Sequence, residues 1–88
     1  MVVSRISKAN EERLKESILR VLYDFYPGML WTYQIAEEIV RDDEFVLRLL
    51  NDLHNKQVVD FRRESAGKNI KKRWGLNKEV YDKYKELL

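Results

Sequence analysis

Hydrophobic residues recur at helical spacing in the first third of the chain, with Glu and Lys between them. Asn10 precedes this stretch and is a candidate N-cap residue. The positions i, i+4, i+7, i+8 and i+11 are occupied by Leu14, Ile18, Val21, Leu22 and Phe25. Because residues at these spacings share one face of a helix, the pattern predicts a first helix over about residues 10–26. The Pro27-Gly28 pair then ends this helix in a turn.

Two shorter helices are predicted after a brief extended segment at Met29–Trp31. Thr32 is the candidate N-cap of the second helix, over about residues 33–40. Its inward-facing positions are Ile35, Ala36 and Ile39. Asp42 is the candidate N-cap of the third helix, over about residues 43–55. The buried stripe of the third helix is predicted to consist of Val46, Leu49, Leu50 and Leu53.

The chain then changes to a pattern typical of β-strands. Residues 58–63 predict one strand, and residues 70–76 predict a returning strand with Ile70 and Trp74 on one face. A polar loop lies between the two strands. Together these segments predict a β-hairpin over about residues 58–76.

A last amphipathic helix is predicted over about residues 78–88, with Asn77 as its N-cap. Its apolar side consists of Val80, Tyr81, Tyr84, Leu87 and Leu88. Packing of this side against the core is the simpler interpretation. A terminal amphipathic helix is also a common dimer surface, so a homodimer through residues 78–88 is the alternative.

The charge is unevenly distributed, although the net charge is only +2. Residues 31–57 carry six carboxylates and three Lys or Arg, whereas residues 58–73 carry six Lys or Arg and two carboxylates. These six cations, interleaved with Phe61 and Trp74, are Arg62, Arg63, Lys68, Lys71, Lys72 and Arg73. A basic patch on a nearly neutral protein indicates an anionic partner. The alternative is a solvated hairpin edge that its charges protect from aggregation.

The order of the elements and the residues within them resemble a known fold family. The motif Ile35-Ala36-x-x-Ile39, followed by Val46-x-x-Leu49-Leu50-x-x-Leu53-x-x-Lys56-x-Val58-Val59, resembles winged helix-turn-helix transcription regulators. Gln57 stands where that pattern usually has glycine. The resemblance implies one α+β domain over residues 1–88, with a three-helix core, the basic hairpin as a wing, and a C-terminal helix.

A narrower resemblance is to the N-terminal winged helix of archaeal transcription factor E and of the alpha subunit of general transcription factor IIE. It is carried by the segment Val59-Asp60-Phe61-Arg62-Arg63-Glu64, by Trp74, and by the helix after Asn77. That family continues into a zinc ribbon with paired Cys, and this chain has no Cys. The chain therefore represents either the winged-helix part alone or a different regulator of similar build.

The exposed side of the third helix is predicted to face bases in duplex DNA. Arg48, Asn51 and Asn55 lie opposite the buried stripe, and Arg pairs with guanine while Asn pairs with adenine in the major groove. The alternative is an ordinary polar face in which Glu44 and Arg48 pair with each other.

The start of the third helix carries three consecutive carboxylates that would repel phosphate. We interpret Asp42, Asp43 and Glu44 as a helix cap that stabilises the helix dipole, with a magnesium site as the alternative. DNA contact would then move towards the wing, where the six cations could straddle phosphates or enter a minor groove.

The composition argues against an enzyme. The absence of Cys removes zinc fingers, iron–sulfur clusters and thiol nucleophiles. The one His, His54, borders the buried stripe of the third helix and is interpreted as a packing residue. There is no phosphate-binding glycine loop and no spacing of metal ligands, so we expect no catalytic site, cofactor or metal.

We also expect an intracellular protein without a membrane partner. No apolar run approaches the roughly 20 residues that span a bilayer, and the N-terminal residues lack the apolar core of a signal peptide.

These observations predict a transcription-related winged-helix domain that binds duplex DNA through helix 43–55 and the basic wing. It would act as a regulator or as a module of a basal initiation factor. The alternative is a protein-interaction domain whose acidic second and third helices dock on RNA polymerase or another transcription protein, with weak DNA contact. The fold alone does not separate these roles.

Overall fold

A computed structural model of the chain describes residues 8–67 and 69–87. The elements in chain order are α1 (Lys8–Phe25), β1 (Leu30–Trp31), α2 (Thr32–Ile39), α3 (Asp43–Asn55), β2 (Val59–Ala66), β3 (Asn69–Leu76) and α4 (Lys78–Leu87). The three strands form one antiparallel sheet in the order β1-β3-β2. The predicted α+β winged helix-turn-helix architecture is confirmed, with three core helices, a hairpin wing formed by β2 and β3, and a C-terminal helix.

The core lies where the three helices meet the base of the sheet. The predicted stripe of α3 is fully confirmed, because all four of its residues are buried. The buried hydrophobic residues are Ile18, Leu22, Leu30, Ile35, Ala36, Val46, Leu49, Leu50, Leu53, Val59, Trp74 and Leu76. Helices and sheet thus contribute to one cluster, which fixes the position of α3 relative to the wing.

Two apolar residues that share a face with packed residues are themselves exposed. Ile70 shares a face with Trp74, but its side chain is 70% exposed because β2 and β3 continue beyond the helices that cover Trp74. Leu87 is 86% exposed because it lies in the last turn of α4, beyond the residues that contact α1. Leu88 lies outside the described residues.

Two of the predicted helix caps are wrong. Helix α1 already begins at Lys8, so Asn10 lies inside its first turn. Thr32 is the first residue of α2, and the cap position is occupied by Trp31, whose backbone N–H donates to Gln34 Oε1 at 2.9 Å. The hydroxyl of Thr32 has a different role, because it accepts a hydrogen bond from the indole Nε1 of the buried Trp74 at 2.8 Å.

The predicted cap of α3 is confirmed. The Asp42 carboxylate accepts hydrogen bonds from the backbone N–H groups of Glu44, at 3.1 Å, and Phe45, at 3.4 Å. These N–H groups have no partner within the helix, and the negative charge also complements the helix dipole. The Asp42 carboxylate therefore stabilises the N-terminus of α3.

A left-handed residue and an asparagine join the end of α3 to the start of α4. Gln57 has φ 62°, so it adopts the conformation that the usual glycine favours. The side chain of Asn77 accepts from the Val80 N–H through Oδ1 at 2.9 Å and donates to the Gln57 carbonyl through Nδ2 at 2.6 Å. The predicted cap at Asn77 is confirmed, and it also ties α4 to α3.

Helix α4 is held by aromatic stacking rather than by deep burial. Tyr81 stacks on Tyr26 with 3.8 Å between ring centroids and on Tyr23 with 5.0 Å, and Tyr84 lies 5.3 Å from Tyr23. No described residue of α4 is fully buried. The helix is thus docked on the end of α1 along one side only.

Candidate nucleic-acid interface

The wing carries pairs of like charges on both of its faces. In the register of β2 and β3, Arg62 lies directly opposite Arg73, and Arg63 lies directly opposite Lys72. Directly opposed residues share a face, and successive pairs alternate between faces. Arg63 and Lys72 are therefore on the inner face, with Trp74, and Arg62 and Arg73 are on the outer face. Like charges at these positions destabilise a sheet, which an anion bound beside them would offset.

Aromatic rings support the cations of the inner face. Lys72 Nζ lies 4.7 Å from the centre of the Phe61 ring and 5.5 Å from that of Trp74, and Arg63 Cζ lies 5.8 Å from Phe61. Phe61 in turn packs against His54 on α3 in a T-shaped arrangement, with 4.7 Å between ring centroids. The inner cations are thus connected through rings to α3, and His54 is the packing residue that the sequence predicted.

The outer face is partly neutralised by its own residues. Arg73 Cζ lies 4.4 Å from the centre of the Trp31 ring, and Arg73 Nε lies 3.1 Å from Glu64 Oε1 in an ion pair without hydrogen-bond geometry. Arg62 is exposed and forms no ion pair with any residue that the structure describes. Of this pair, Arg62 is therefore the cation that is more available to an anion.

A cleft of about 500 Å³ separates the start of α3 from the wing. Asp43 and Glu44 line one wall, and Lys71 and Lys72 line the other. The remaining lining residues are Trp31, Thr32, Tyr33, Leu47 and Ile70. The acidic start of α3 thus faces the basic wing across this cleft, and its carboxylates weaken the positive potential there.

The exposed face of α3 contains the three predicted base-contacting residues. Asn51 and Asn55 are exposed, and no side-chain hydrogen bond to them occurs among residues 8–67 and 69–87. Arg48 is exposed as well, but it leans towards α1, with Nη1 3.2 Å from Glu11 Oε1 and 4.0 Å from Asp52. The alternative pairing of Arg48 with Glu44 is not the one formed in this part of the chain.

Sequence reasoning missed an ion-pair network that joins α1 to α3. Lys15 is buried at 8% exposure, and its Nζ lies 3.6 Å from Glu12 and 3.5 Å from Asp52. The sequence contained one sign of this network, because Lys15 lies on the same face of α1 as the apolar residues Ile18 and Leu22. This network holds Asp52, and through it Arg48, in a structural role.

Three further predictions concern one wing cation, a metal site and a membrane span. Lys68, one of the six predicted wing cations, lies outside the described residues. Among residues 8–67 and 69–87 there is no cluster of three or more His, Asp or Glu suited to a metal ion, and the Asp42 carboxylate is already used by the helix cap. None of the described helices is both long enough and apolar enough to cross a membrane.

Of the comparisons with known proteins, only the structural one finds similar proteins. No protein-family model matches it, and no curated protein matches it significantly. It is similar to ZitR of Lactococcus lactis, a zinc-responsive MarR family member, with 17% identity and a TM-score of 0.65 over 98% of this chain and 54% of that one. It is also similar to a PadR-like transcription factor from Bacteroides fragilis, with 16% identity and a TM-score of 0.73 over 91% and 81% of the two chains.

A third similar structure is Stf76 from the Sulfolobus islandicus plasmid-virus pSSVx, with 20% identity and a TM-score of 0.61 over 81% of this chain and 92% of that one. The chain spans little more than half the length of the ZitR chains that it matches. The PadR-like neighbour is described as a transcription factor.

These similarities support the broad resemblance drawn from the sequence. The narrower one, to transcription factor E and the alpha subunit of factor IIE, stays a prediction. Because the sequence identities to these structures are below 25%, the similarities inform the fold of this chain and not its ligand. The chain therefore has the winged helix-turn-helix fold that it shares with transcription regulators of the MarR and PadR-like types.

Proposed function

We propose that this protein is a DNA-binding domain of a transcription regulator, with the wing as its main contact to duplex DNA. The observation that most strongly supports this proposal is the presence of two like-charge pairs on opposite faces of one hairpin. These pairs are Arg62 with Arg73 and Arg63 with Lys72, at adjacent positions. A ribbon with cations on both faces suits a groove, because each face can approach one of the two phosphate backbones that border it. Lys71 would extend the same surface, and Lys68, which lies outside the described residues, stays a predicted contact.

Helix α3 would supply sequence discrimination within this complex. Asn51 and Asn55 are free to pair with adenine edges in a major groove. Arg48 would first have to leave Glu11, so its contribution to a base contact is reduced by the ion pair that it gives up. The carboxylates at the start of α3 oppose deep insertion of that end, which is the reason for assigning most of the affinity to the wing.

The test is a titration of ¹⁵N-labelled protein with a mixed-sequence duplex, followed by NMR. The proposal expects chemical-shift changes concentrated in β2, β3 and the exposed face of α3. Shift changes centred on α1 and α2 would contradict it. The absence of any change at low salt would contradict it as well, because non-specific binding to DNA is strongest under those conditions.

The proposal includes a homodimer through helix 78–88. It is supported by the exposed side chain of Leu87 and by the shallow docking of α4 on α1. A two-fold dimer would present two wings to one duplex. Sedimentation velocity should show a dimer that Leu87→Glu converts to a monomer, and a wild-type monomer at every concentration would refute this part.

Other roles follow less directly from the contacts. A DNA-binding protein of this kind would act either as a regulator or as a module of a basal initiation factor. The alternative function is docking of the acidic second and third helices on RNA polymerase or another transcription protein, with weak DNA contact. An intracellular location is part of the proposal, because duplex DNA is found there.

A further inference from the structure

A second cleft, of about 410 Å³, lies between the C-terminal half of α1 and helix α2. We call it the α1–α2 cleft. Its apolar lining comes from Val21, Phe25 and Leu30, and its polar lining comes from Asp24, Gln34, Glu37 and Glu38. None of these residues lines the cleft beside the wing. A ligand here would leave the proposed DNA-binding surface uncovered.

The turn after α1 holds an aromatic ring at this cleft. Phe25 is 51% exposed although it continues the apolar stripe of α1. A Cβ on Gly28 would lie only 2.6 Å from Phe25 Cε2 and 2.8 Å from Cδ2, so the ring rests directly on the glycine. The Gly28 N–H also donates to the Phe25 carbonyl at 2.9 Å. The ring is therefore supported from below and open to an apolar partner side chain.

The carboxylates around this ring lack cations of their own. Asp24, Glu37 and Glu38 are exposed, and none forms an ion pair in the part of the chain that the structure describes, whereas five other acidic residues do. Arg20 lies one helical turn before Asp24, but no ion pair joins them within 4.0 Å. Glu38 also lines a neighbouring cleft together with Arg13 and Arg20, but neither arginine pairs with it within 4.0 Å. The edge of the α1–α2 cleft is thus an acidic surface, free of ion pairs among the described residues, next to an apolar one.

Gln34 adds a hydrogen-bond donor to the same cleft. Its Oε1 accepts from the Trp31 backbone N–H at 2.9 Å, which fixes the orientation of the amide. The amide nitrogen has no hydrogen-bond partner among residues 8–67 and 69–87. It could therefore donate to a backbone carbonyl of a bound chain.

The charge of the cleft determines which class of partner fits. Nucleic acids and anionic lipid surfaces would meet three carboxylates, so both are disfavoured. A basic peptide would gain from the same charges, and one bulky side chain would bury the exposed part of Phe25. We propose that the α1–α2 cleft binds a basic segment of a partner protein, with one large apolar side chain against Phe25 and Lys or Arg beside Asp24, Glu37 and Glu38. This site is separate from the DNA-binding function proposed above.

The proposal is tested with a short synthetic peptide in which one Phe is flanked on both sides by Lys and Arg. Titration into ¹⁵N-labelled protein at low salt should shift the resonances of the cleft residues, while those of the wing stay unchanged. Reversal of two charges by Glu37→Lys with Glu38→Lys should raise the Kd at least about tenfold. Phe25→Ala should weaken binding without changing the net charge.

The matched control is Glu79→Lys with Glu86→Lys on α4. Both residues are exposed and without ion pairs in residues 8–67 and 69–87, and the pair changes the net charge by the same amount. The proposal expects this variant to bind the peptide far better than the cleft variant does. Equal weakening of the two variants would overturn it, because only overall charge would then matter.

Three other results would also overturn the proposal. One is no shift in the wild-type protein at low salt. Another is equal binding of a peptide in which the same Phe is flanked by Glu. The third is a change of the cleft resonances on simple dilution of the protein, which would show that a second copy of this chain occupies the cleft.

Discussion

Replacing Val40 with glycine should stabilise the protein, although valine is the larger and more hydrophobic residue. Val40 ends α2 with φ 55° and ψ 56°, in the left-handed region. A residue with a Cβ costs about 1–2 kcal/mol there, and branching at Cβ makes valine a rare occupant. The side chain is 77% exposed, so its removal sacrifices little buried apolar area.

Glycine offsets part of this gain, because its greater freedom in the unfolded chain costs about 0.5–1 kcal/mol. The net stabilisation expected from Val40→Gly is about 0.5–1 kcal/mol, which corresponds to a rise in Tm of about 2–8 °C for a chain of this size. The backbone bonds of the turn are retained, since the Val40 N–H donates to the Glu37 carbonyl at 3.2 Å and the Arg41 N–H to the Ala36 carbonyl at 3.0 Å.

The assay is urea unfolding followed by tryptophan fluorescence, with the midpoint and the slope m fitted separately. Val40→Gly should raise the midpoint at constant m. Gln57→Gly, at φ 62°, is a parallel case and should shift the midpoint in the same direction by less, because glutamine is not branched at Cβ. A lower midpoint for Val40→Gly at constant m would refute the reasoning, since it would mean that the valine side chain stabilises the turn.

The remaining predictions concern contacts that join distant parts of the chain. Thr32→Val should destabilise by about 1–3 kcal/mol, because it leaves the buried Trp74 N–H without an acceptor, while Thr32→Ser stays near wild type in thermal unfolding. Asn77→Ala should lower the free energy of unfolding by about 0.5–2 kcal/mol in urea unfolding, because it removes the α4 cap and the hydrogen bond to the Gln57 carbonyl. An unchanged free energy of unfolding would show that Asn77 does not stabilise the junction of α3 and α4. Tyr81→Leu should raise hydrogen-exchange rates in α4 selectively, and exchange rates equal to wild type would count against docking by stacking.

The elements themselves could be predicted because their signals are local. The stripe of α3 repeats at helical spacing, and the hairpin alternates with period two around a Gly that adopts φ 64°. The caps at Asp42 and Asn77 were predictable for the same reason, since each partner lies within three residues. The strand register then placed Arg63 and Lys72 on one face, which the order of residues alone did not settle.

What could not be predicted depends on pairs that are distant in sequence. Arg48 lies 37 positions from its partner Glu11, so its ion pair could not be distinguished from one with the nearby Glu44. The hydroxyl of Thr32 resembled a cap because its acceptor role for Trp74 spans 42 positions. The exposure of Ile70 depends on how far the hairpin extends past the helices, a property of the assembled fold rather than of the strand pattern.

Binding of duplex DNA by cations on both faces of the wing would show most clearly in the salt dependence of the affinity. Fluorescence anisotropy would compare the wild type with Arg62→Ala/Arg63→Ala, one cation from each face of the wing, and with a matched control, Arg13→Ala/Arg20→Ala, on exposed positions of α1. We expect the slope of log K against log salt to fall by about 0.9 for each lost phosphate contact in the wing variant and to stay unchanged in the control. Equal slopes for the two variants, or no binding of the wild type at low salt, would show that the wing is not the main DNA contact.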